Sequence, residues 1–127
     1  MSGRYLLDTN AIIYALGRNL KLPPAHYAVS VITKMELLSW PALTANDEVK
    51  LREVIERITV VQLLPAIQET AIKIRRNTLL KLPDAIISST AIKGDFVLVT
   101  DDEKLSSRHV GTAISLNELI AVAPDQV

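Results

Sequence analysis

Short apolar runs alternate with longer helix-forming segments along this chain, and this alternation constrains the fold more than any other feature. Parallel strands cannot be joined by a tight turn, so strands alternating with helices imply right-handed crossovers and a parallel sheet. The run at 96–100 is apolar throughout and is predicted to be a central strand. The sequence therefore predicts one α/β domain. Its strands are expected at residues 4–7, 27–31, 58–64, 96–100 and 112–115.

The segments between the strands carry helix signals at their ends. Gly17 and Gly94 are expected to end two helices, because glycine favours the C-terminal cap. Thr44 or Asn46 is expected to cap the third helix, and Asn117 the last one. The helices are expected at residues 11–16, 33–39, 44–57, 66–80, 83–93, 102–108 and 118–122.

Length and composition favour a single cytoplasmic domain. The chain has 127 residues, which predicts one domain spanning residues 1–127. No cysteine is present, so disulfides, zinc–thiolate sites and thiol catalysis are excluded, and a reducing cytosol is the expected compartment. No apolar run approaches the roughly 20 residues that span a bilayer, so no membrane association is expected.

Charge and histidine content narrow the kinds of ligand. The chain carries 14 basic and 14 acidic residues, and this balance argues mildly against strong non-specific affinity for RNA, although local patches could still bind it. The two histidines, His26 and His109, are too few and too scattered for a histidine-rich metal site.

Four acidic residues stand at or beside the ends of apolar, structure-forming runs: Asp8, Glu36, Asp84 and Asp102. A carboxylate at the carboxyl end of a parallel strand points into the crevice where open α/β sheets bind ligands. Several carboxylates gathered there raise one another's pKa unless a cation is present. Hard oxygen ligands of this kind suit Mg²⁺ or Mn²⁺. The pattern indicates a carboxylate-ligated metal site, whose commonest use is hydrolysis of a phosphodiester.

Each of the first two acids has a purely structural alternative. Asp8 could be the N-cap of the first helix, but Thr9 or Asn10 could cap it equally well and leave Asp8 free to project. Glu36 could lie on a solvated helix face, although apolar residues surround it in the sequence.

The other two acids also have structural alternatives. Asp84 follows Pro83 in the manner of a helix start, and Ser88 lies four residues on, on the same helix face. The segment 100–103 matches a Thr-x-x-Glu capping box, which would explain its threonine and glutamate but not both Asp101 and Asp102. Either aspartate could then be the ligand.

Together these segments resemble the PIN-domain ribonucleases, and most closely the VapC-type toxins of prokaryotic toxin–antitoxin pairs. The resemblance covers nearly the whole chain, and the chain departs from it at Leu105, where the family usually has an aromatic residue. Its motifs are Leu-Leu-Asp-Thr-Asn at 6–10, Ser-Val-Ile-Thr-Lys-Met-Glu-Leu at 30–37, Lys-Leu-Pro-Asp-Ala-Ile-Ile-Ser-Ser-Thr-Ala at 81–91 and Leu-Val-Thr-Asp-Asp at 98–102.

The resemblance implies a PIN-like three-layer α/β/α domain, with a central, mainly parallel sheet of four to five strands, that acts as a metal-dependent endoribonuclease. By this resemblance Asp8, Glu36 and Asp84 would hold Mg²⁺ or Mn²⁺. Asp102, by the family spacing after the threonine, would orient a water molecule or help to hold a second ion. Products of the family carry a 5′-phosphate and a 3′-hydroxyl, and the substrates are typically structured RNA. Such toxins are homodimers whose cognate antitoxin blocks the metal site.

Further residues are expected to support this site. Hydroxyl and amide groups would hold the carboxylates in place through hydrogen bonds. A basic stretch ahead of the third acid would be a phosphate track, or else an ordinary solvated helix face. The supporting residues are Thr9, Asn10, Ser88, Thr100 and Asp101, and the basic ones are Lys73, Arg75, Arg76 and Lys81.

An apolar segment at 20–24, together with Leu37, Leu38 and Trp40 around Pro41, would form a surface patch for a partner, or else belong to the core.

Other function classes stay open from the sequence alone. A catalytically silent module of the same fold could bind RNA or a protein without cleaving it. An aspartyl-nucleophile phosphatase would need an Asp-x-Asp after the first strand, where this chain has Asn10. A receiver domain would need paired acids before the first helix, and these are absent.

Overall fold

The computed structural model describes residues 3–122 and contains the predicted parallel sheet. Its strand order is β3-β2-β1-β4-β5, and every neighbouring pair is parallel. The predicted α/β class is confirmed. β1, rather than the apolar run at 96–100, occupies the centre, and β4 lies beside it in the interior of the sheet. The strands are β1 Arg4–Leu7, β2 His26–Ser30, β3 Thr59–Val61, β4 Val97–Val99 and β5 Ala113–Ile114.

The predicted helices are all present, with ends that differ by at most two residues from those expected. Thr44 caps the third helix as predicted, whereas Ser115, not Asn117, caps the last one through a capping box with Glu118. The helices are α1 Thr9–Gly17, α2 Val31–Leu38, α3 Ala45–Glu56, α4 Pro65–Thr78, α5 Leu82–Gly94, α6 Glu103–Arg108 and α7 Leu116–Ile120.

Helices α1 and α5 end at Gly17 and Gly94, as predicted, but in each case the residue after the glycine is the C-terminal cap. Gly17 and Gly94 lie inside the last turns of α1 and α5. Within residues 3–122 the left-handed backbone conformation is adopted by Asn19, Leu79 and Asp95, and by no glycine. Leu79 and Asp95 cap α4 and α5, so these two helices end at residues that bear a side-chain cost in this conformation.

Two layers of apolar side chains hold the helices against the sheet. Leu6 and Leu98 point to one face, in a cluster with residues of α5 and α6. Leu7 and Val99 point to the other, in a cluster with residues of α1, α2, α3 and α7. Neighbouring strand residues face opposite sides of a sheet, so each strand contributes to both clusters. The predicted three-layer α/β/α arrangement is confirmed.

Helix α5 is the most deeply placed helix, and residues 85–91 are all buried. Small residues such as Ala85, Ser89 and Ala91 let it pack closely between α4 and the sheet. α5 leads into β4 after only two residues, so it runs antiparallel to that strand. Its first turn, which contains Asp84, therefore lies toward the carboxyl ends of the strands.

The apolar segments predicted as a partner patch belong mostly to the core. Leu37 is buried, and Leu20, Leu22 and Leu38 pack against the α1-side cluster. Trp40 is the exception, because 55% of its surface is exposed.

Among the helices between residues 3 and 122, none is both long and apolar enough to cross a membrane.

Candidate functional site

The sheet reverses its winding direction at β1, and this creates a crevice. The chain places β2 and β3 on one side of β1 and later places β4 and β5 on the other. In open α/β sheets, ligands bind outside the carboxyl ends of the strands at such a switch point. Asp8 follows β1, and its backbone N–H donates to the Val99 carbonyl at 3.1 Å. The crevice is thus lined by the residues that follow β1 and β4.

Asp8 is the most buried acid of the site, with only 4% of its surface exposed. Its Oδ1 accepts from the Ala11 N–H at 2.7 Å, so Asp8 itself caps α1, which is one of the alternatives that the sequence left open. Burial raises the pKa of the Asp8 carboxyl. The hydrogen bonds from Thr100 and Ala11 oppose this shift, and the charges of Asp101 and Asp102 add to it.

Thr100 joins the ends of β1 and β4. Its hydroxyl donates to Asp8 Oδ2 at 2.5 Å and accepts from the backbone N–H of Asp102 at 3.0 Å. The capping box predicted at 100–103 is therefore wrong, because the Asp102 side chain caps α6 by accepting from the Leu105 N–H at 3.0 Å. Thr100 is left free to bond to Asp8, because Asp102 takes over the capping of α6.

Glu36 lies on α2, the helix that follows β2, and its side chain is exposed. Thr9 Oγ1 donates to Glu36 Oε1 at 2.9 Å, and Thr33 Oγ1 lies 3.3 Å from Thr9 Oγ1. Thr9 is the first residue of α1, directly after Asp8. This contact brings Glu36 toward the acid that follows β1.

Asp84 stands at the third position of α5 and is half-buried. Burial raises the pKa of its carboxyl, and the charges of Asp102 and Glu36 raise it further. The charges of Lys81 and Lys104 oppose this shift. Asp102 and Glu36 are thus the two acids whose charges act on Asp84.

The two aspartates after β4 point to different neighbours. Asp101 Oδ1 accepts from the Leu116 N–H at 3.1 Å, which directs that side chain toward the start of α7. Asp102 lies close enough to raise the pKa of both Asp8 and Asp84, whereas Asp101 affects Asp8 alone. Asp102 is therefore the better placed of the two to act with both other aspartates.

Two predicted supporting residues have other surroundings. Asn10 is exposed, and its side chain makes no hydrogen bond within residues 3–122. Ser88 lies one turn beyond Asp84 on α5, but its Oγ is 2.6 Å from His109 Nδ1 and not bonded to a carboxylate. The structure therefore brings Thr9 and Thr100 to the acids and takes Ser88 away from them.

The basic residues divide into two groups. Lys81, directly before α5, lies near enough to lower the pKa of Asp84, and so does Lys104 of α6. Lys73, Arg75 and Arg76 are exposed on α4, and in the described part of the chain no ion pair joins them to the acids.

The chemistry of the four acids fits a hard divalent cation. They offer only carboxylate oxygens, and a cation would offset both the burial and the repulsion that raise the pKa values of Asp8 and Asp84. Within the part of the chain that the structure describes, no three acidic or histidine side chains are arranged to hold one ion together. Shared binding would therefore need the exposed carboxylates of Glu36 and Asp102 to change rotamer.

Three residues of this region have contacts or charge effects that were not predicted from the sequence. Thr33 contacts Thr9, Lys104 acts on Asp84, and the buried ring of His109 contacts Ser88. Thr33 lies on the same face of α2 as Glu36, three residues before it, and this spacing was a usable signal. The roles of Lys104 and His109 depend on the packing of α6 and leave no local pattern.

Comparisons with known proteins agree with this fold. The family model described as PIN domain matches residues 5–110. A chain of a toxin–antitoxin complex from Klebsiella pneumoniae is 27% identical, with a TM-score of 0.76 over 88% of this chain and 97% of that one. VapBC2 from Rickettsia felis, bound to a DNA fragment from their promoter, is 20% identical, with a TM-score of 0.75 over 88% and 98%. VapBC-1 from nontypeable Haemophilus influenzae is 21% identical, with a TM-score of 0.74 over 90% and 98%. No curated protein sequence matches the chain significantly.

Proposed function

The chain belongs to the PIN domain family, and on that premise we propose that it is a Mg²⁺- or Mn²⁺-dependent endoribonuclease that hydrolyses RNA phosphodiester bonds. The resemblance to VapC-type PIN domains is confirmed by the family match and by the fold of the structural neighbours. The proposal is supported above all by the carboxylates that converge beside the ends of β1 and β4, where the pKa values of two are raised. These carboxylates are Asp8, Glu36, Asp84 and Asp102.

Each residue has a role that its position supports. Asp8, Glu36 and Asp84 would hold the ion, and Asp102 would orient the attacking water. When bound, a divalent ion would neutralise charge on the phosphoryl oxygens and lower the pKa of the water bound to it. Thr100 and Thr9 fix the Asp8 and Glu36 carboxylates through their hydroxyls. Outer partners of this kind normally set the orientation of metal ligands.

We also propose that the chain is the cytoplasmic toxin component of a toxin–antitoxin pair and forms a homodimer. The neighbour from Klebsiella pneumoniae belongs to a toxin–antitoxin complex, and its fold covers 88% of this chain. The antitoxin would act by covering the acidic crevice. Co-expression with the gene encoded next to it, followed by size-exclusion chromatography, tests both the pairing and the dimer.

One observation favours a second function, that of a catalytically silent binding module. In the described residues the acids are not arranged to share an ion without side-chain rotation. Such a module would bind RNA or a protein without cleaving it. The two functions differ in a single measurable property, which is metal-dependent cleavage.

The deciding experiment compares two aspartates that occupy the same helix position. Asp84 is the third residue of α5 and Asp47 the third residue of α3, but Asp47 is exposed and lies outside the site. We expect Asp84→Asn to lower the rate of Mn²⁺-dependent cleavage of total RNA more than about a hundredfold, because several kcal/mol of charge stabilisation are lost. Asp47→Asn should leave the rate unchanged.

The same pair of variants also has a stability readout. The raised pKa of Asp84 means that its charged form destabilises the fold, so Asp84→Asn should raise the Tm without metal, by up to about 4 °C for a domain of this size. Asp47→Asn should not raise it. Full cleavage activity in Asp84→Asn would refute the nuclease assignment. A folded wild-type protein that binds RNA but never cleaves it with Mn²⁺ present would establish the silent module.

A further inference from the structure

A buried hydrogen bond joins the two helices that carry Asp84 and Asp102. Ser88 Oγ lies 2.6 Å from His109 Nδ1, and both residues are at least nine-tenths buried. Ser88 is one turn after Asp84 on α5, and residues four apart lie on the same helix face. His109 follows directly after α6, whose first turn is capped by Asp102. The bond therefore connects the end of one acid-bearing helix to the middle of the other.

Helix α6 depends on such anchors more than the other helices do. It has six residues, and Leu105 is the one buried residue among them. Asp102 is bonded to the Leu105 N–H, and the His109 N–H donates to the Leu105 carbonyl at 2.9 Å. Leu105 is thus bonded to both Asp102 and His109, so a displacement at His109 would reach the Asp102 carboxylate through this short helix. Arg108, which donates to the Thr78 carbonyl at 2.9 Å, ties the same end to α4 at the surface.

The surroundings of His109 keep its ring in place and neutral. Burial lowers the pKa of the imidazole. The second ring nitrogen borders a cavity of about 320 Å³ near the start of β4, at the opposite end of the strands from the acids. Asp95 and Thr112 line that cavity, and neither bonds to the ring in the described chain. Among residues 3–122, Ser88 is therefore the one side chain that is hydrogen-bonded to the ring and orients it.

We propose that His109 is a positioning residue for the carboxylate site: its hydrogen bond to Ser88 sets the place of α6 on α5 and thereby the separation of Asp102 from Asp84. This inference rests on the proposed metal-dependent function, because the separation matters only if both carboxylates act on one ion or one substrate. It also gives Ser88 a role through His109, without contact with a carboxylate.

The next residue on α5 provides an internal control. Ser89 is equally buried, and its hydroxyl donates to the Ile67 carbonyl of α4 at 2.7 Å. Ser88→Ala and Ser89→Ala therefore remove one buried interhelical hydrogen bond each, from adjacent positions. The bond of Ser88 leads to the helix that carries Asp102, whereas the bond of Ser89 leads to α4, which carries none of the four acids.

The test measures Mn²⁺ binding by titration calorimetry and by the rise in Tm on adding the ion, with cleavage rates alongside. We expect Ser88→Ala and His109→Phe each to weaken Mn²⁺ binding about tenfold, the lower end of the loss that follows removal of an outer partner of metal ligands. The double variant should lose no more than either single one. Ser89→Ala should bind Mn²⁺ within about twofold of wild type, and His109→Asn, which retains a polar atom near the Nδ1 position, should recover most of the loss.

The outcomes separate this inference from the proposed function. Wild-type protein that neither binds Mn²⁺ nor cleaves RNA would overturn both. Wild-type protein that does both, with Ser88→Ala and Ser89→Ala equally affected or equally unaffected, would overturn only the role of His109. If Ser88→Ala does not fold, the comparison of His109→Phe with His109→Asn decides, and equal Mn²⁺ binding by those two variants contradicts the inference.

Discussion

The Thr100 hydroxyl forms hydrogen bonds with two of the four acidic residues. It donates to the buried Asp8 and accepts from the Asp102 backbone, so it connects two of the four acids directly. A buried carboxylate with too few donors is costly, because the charge has lost its hydration. Asp8 has two donors, one from the start of its own helix and one from Thr100. The second donor joins the residue after β1 to the residue after β4.

Removing that hydroxyl should therefore affect stability and activity together. We expect Thr100→Val, which keeps the side-chain shape, to destabilise the fold by about 1–3 kcal/mol, because a buried charged acceptor loses its partner. Cleavage should fall roughly 10- to 100-fold, as it does when the outer partner of a metal ligand is lost. Urea unfolding and the rate of RNA cleavage measure the two effects.

Thr90→Val is the matched control for Thr100→Val. Thr90 is equally buried, but its hydroxyl donates to the Ile86 carbonyl within α5, at 2.7 Å and away from the acids. Its loss should leave the cleavage rate within about twofold of wild type. A Thr100→Val enzyme that cleaves as fast as Thr90→Val would show that Thr100 does not orient Asp8.

At the residue scale, the sequence predicts which acidic residues lie at the strand ends better than it predicts their hydrogen-bond partners. Asp8, Thr9 and Asn10 are all good N-cap residues, so local propensity cannot choose among them. The choice is made by Thr100, 92 positions away, whose hydroxyl and strand hold the Asp8 carboxylate in the capping position. The partner of Ser88 could not be predicted for the same reason, since His109 is brought to it only by the packing of α6.

At the scale of the elements, the end of α4 is strained. Leu79 has a φ of 59°, in the left-handed region that favours glycine, and 70% of its surface is exposed. A non-glycine residue in this conformation destabilises the folded state by about 1–2 kcal/mol. Glycine avoids this strain, but it loses more backbone entropy on folding, and this offsets part of the gain in stability. We expect Leu79→Gly to stabilise the fold by about 0.5–1 kcal/mol, measured by urea unfolding.

Leu79→Ala separates the backbone effect from the loss of the side chain. Alanine removes the exposed leucine side chain but keeps the Cβ that causes the strain, so no gain in stability is expected. If alanine stabilises the protein as much as glycine does, the backbone conformation is not the cause.

The elements themselves could be read from the sequence because their signals are local. Alternating or continuous apolar runs and helix caps predicted every strand and helix, with small errors at their ends. The order of the strands could not be read, because β1 and β4 pair across a separation of about ninety residues. The apolar content of residues 96–100 indicated an interior strand but could not say that β1 is the central one. The segment 20–24 and Leu37 looked available for a partner until packing placed them against the core.

At the scale of the whole molecule, neutral net charge conceals an uneven distribution. The chain has 14 basic and 14 acidic residues, yet the charges of neighbouring acids raise the pKa values of the buried Asp8 and the half-buried Asp84. Lys81 and Lys104 lie close enough to act on Asp84. RNA, which is repelled by uncompensated carboxylates, would therefore be drawn to the crevice by these lysines and by a bound cation. Affinity should then depend on a few phosphate contacts instead of bulk charge.

This distribution predicts how RNA binding responds to salt. In an Asp8→Asn background, which is expected to prevent cleavage, Lys81→Gln and Lys104→Gln should each reduce the slope of log affinity against log salt by about one, because one phosphate contact is lost. Lys93→Gln is the matched control, since Lys93 is exposed at the other end of α5, about 18 Å along the helix from Lys81. It should leave the slope unchanged. If all three variants keep the wild-type slope, the lysines beside Asp84 do not contact RNA. The substrate is then held by another face, of which exposed α4 with Arg75 and Arg76 is the first to test.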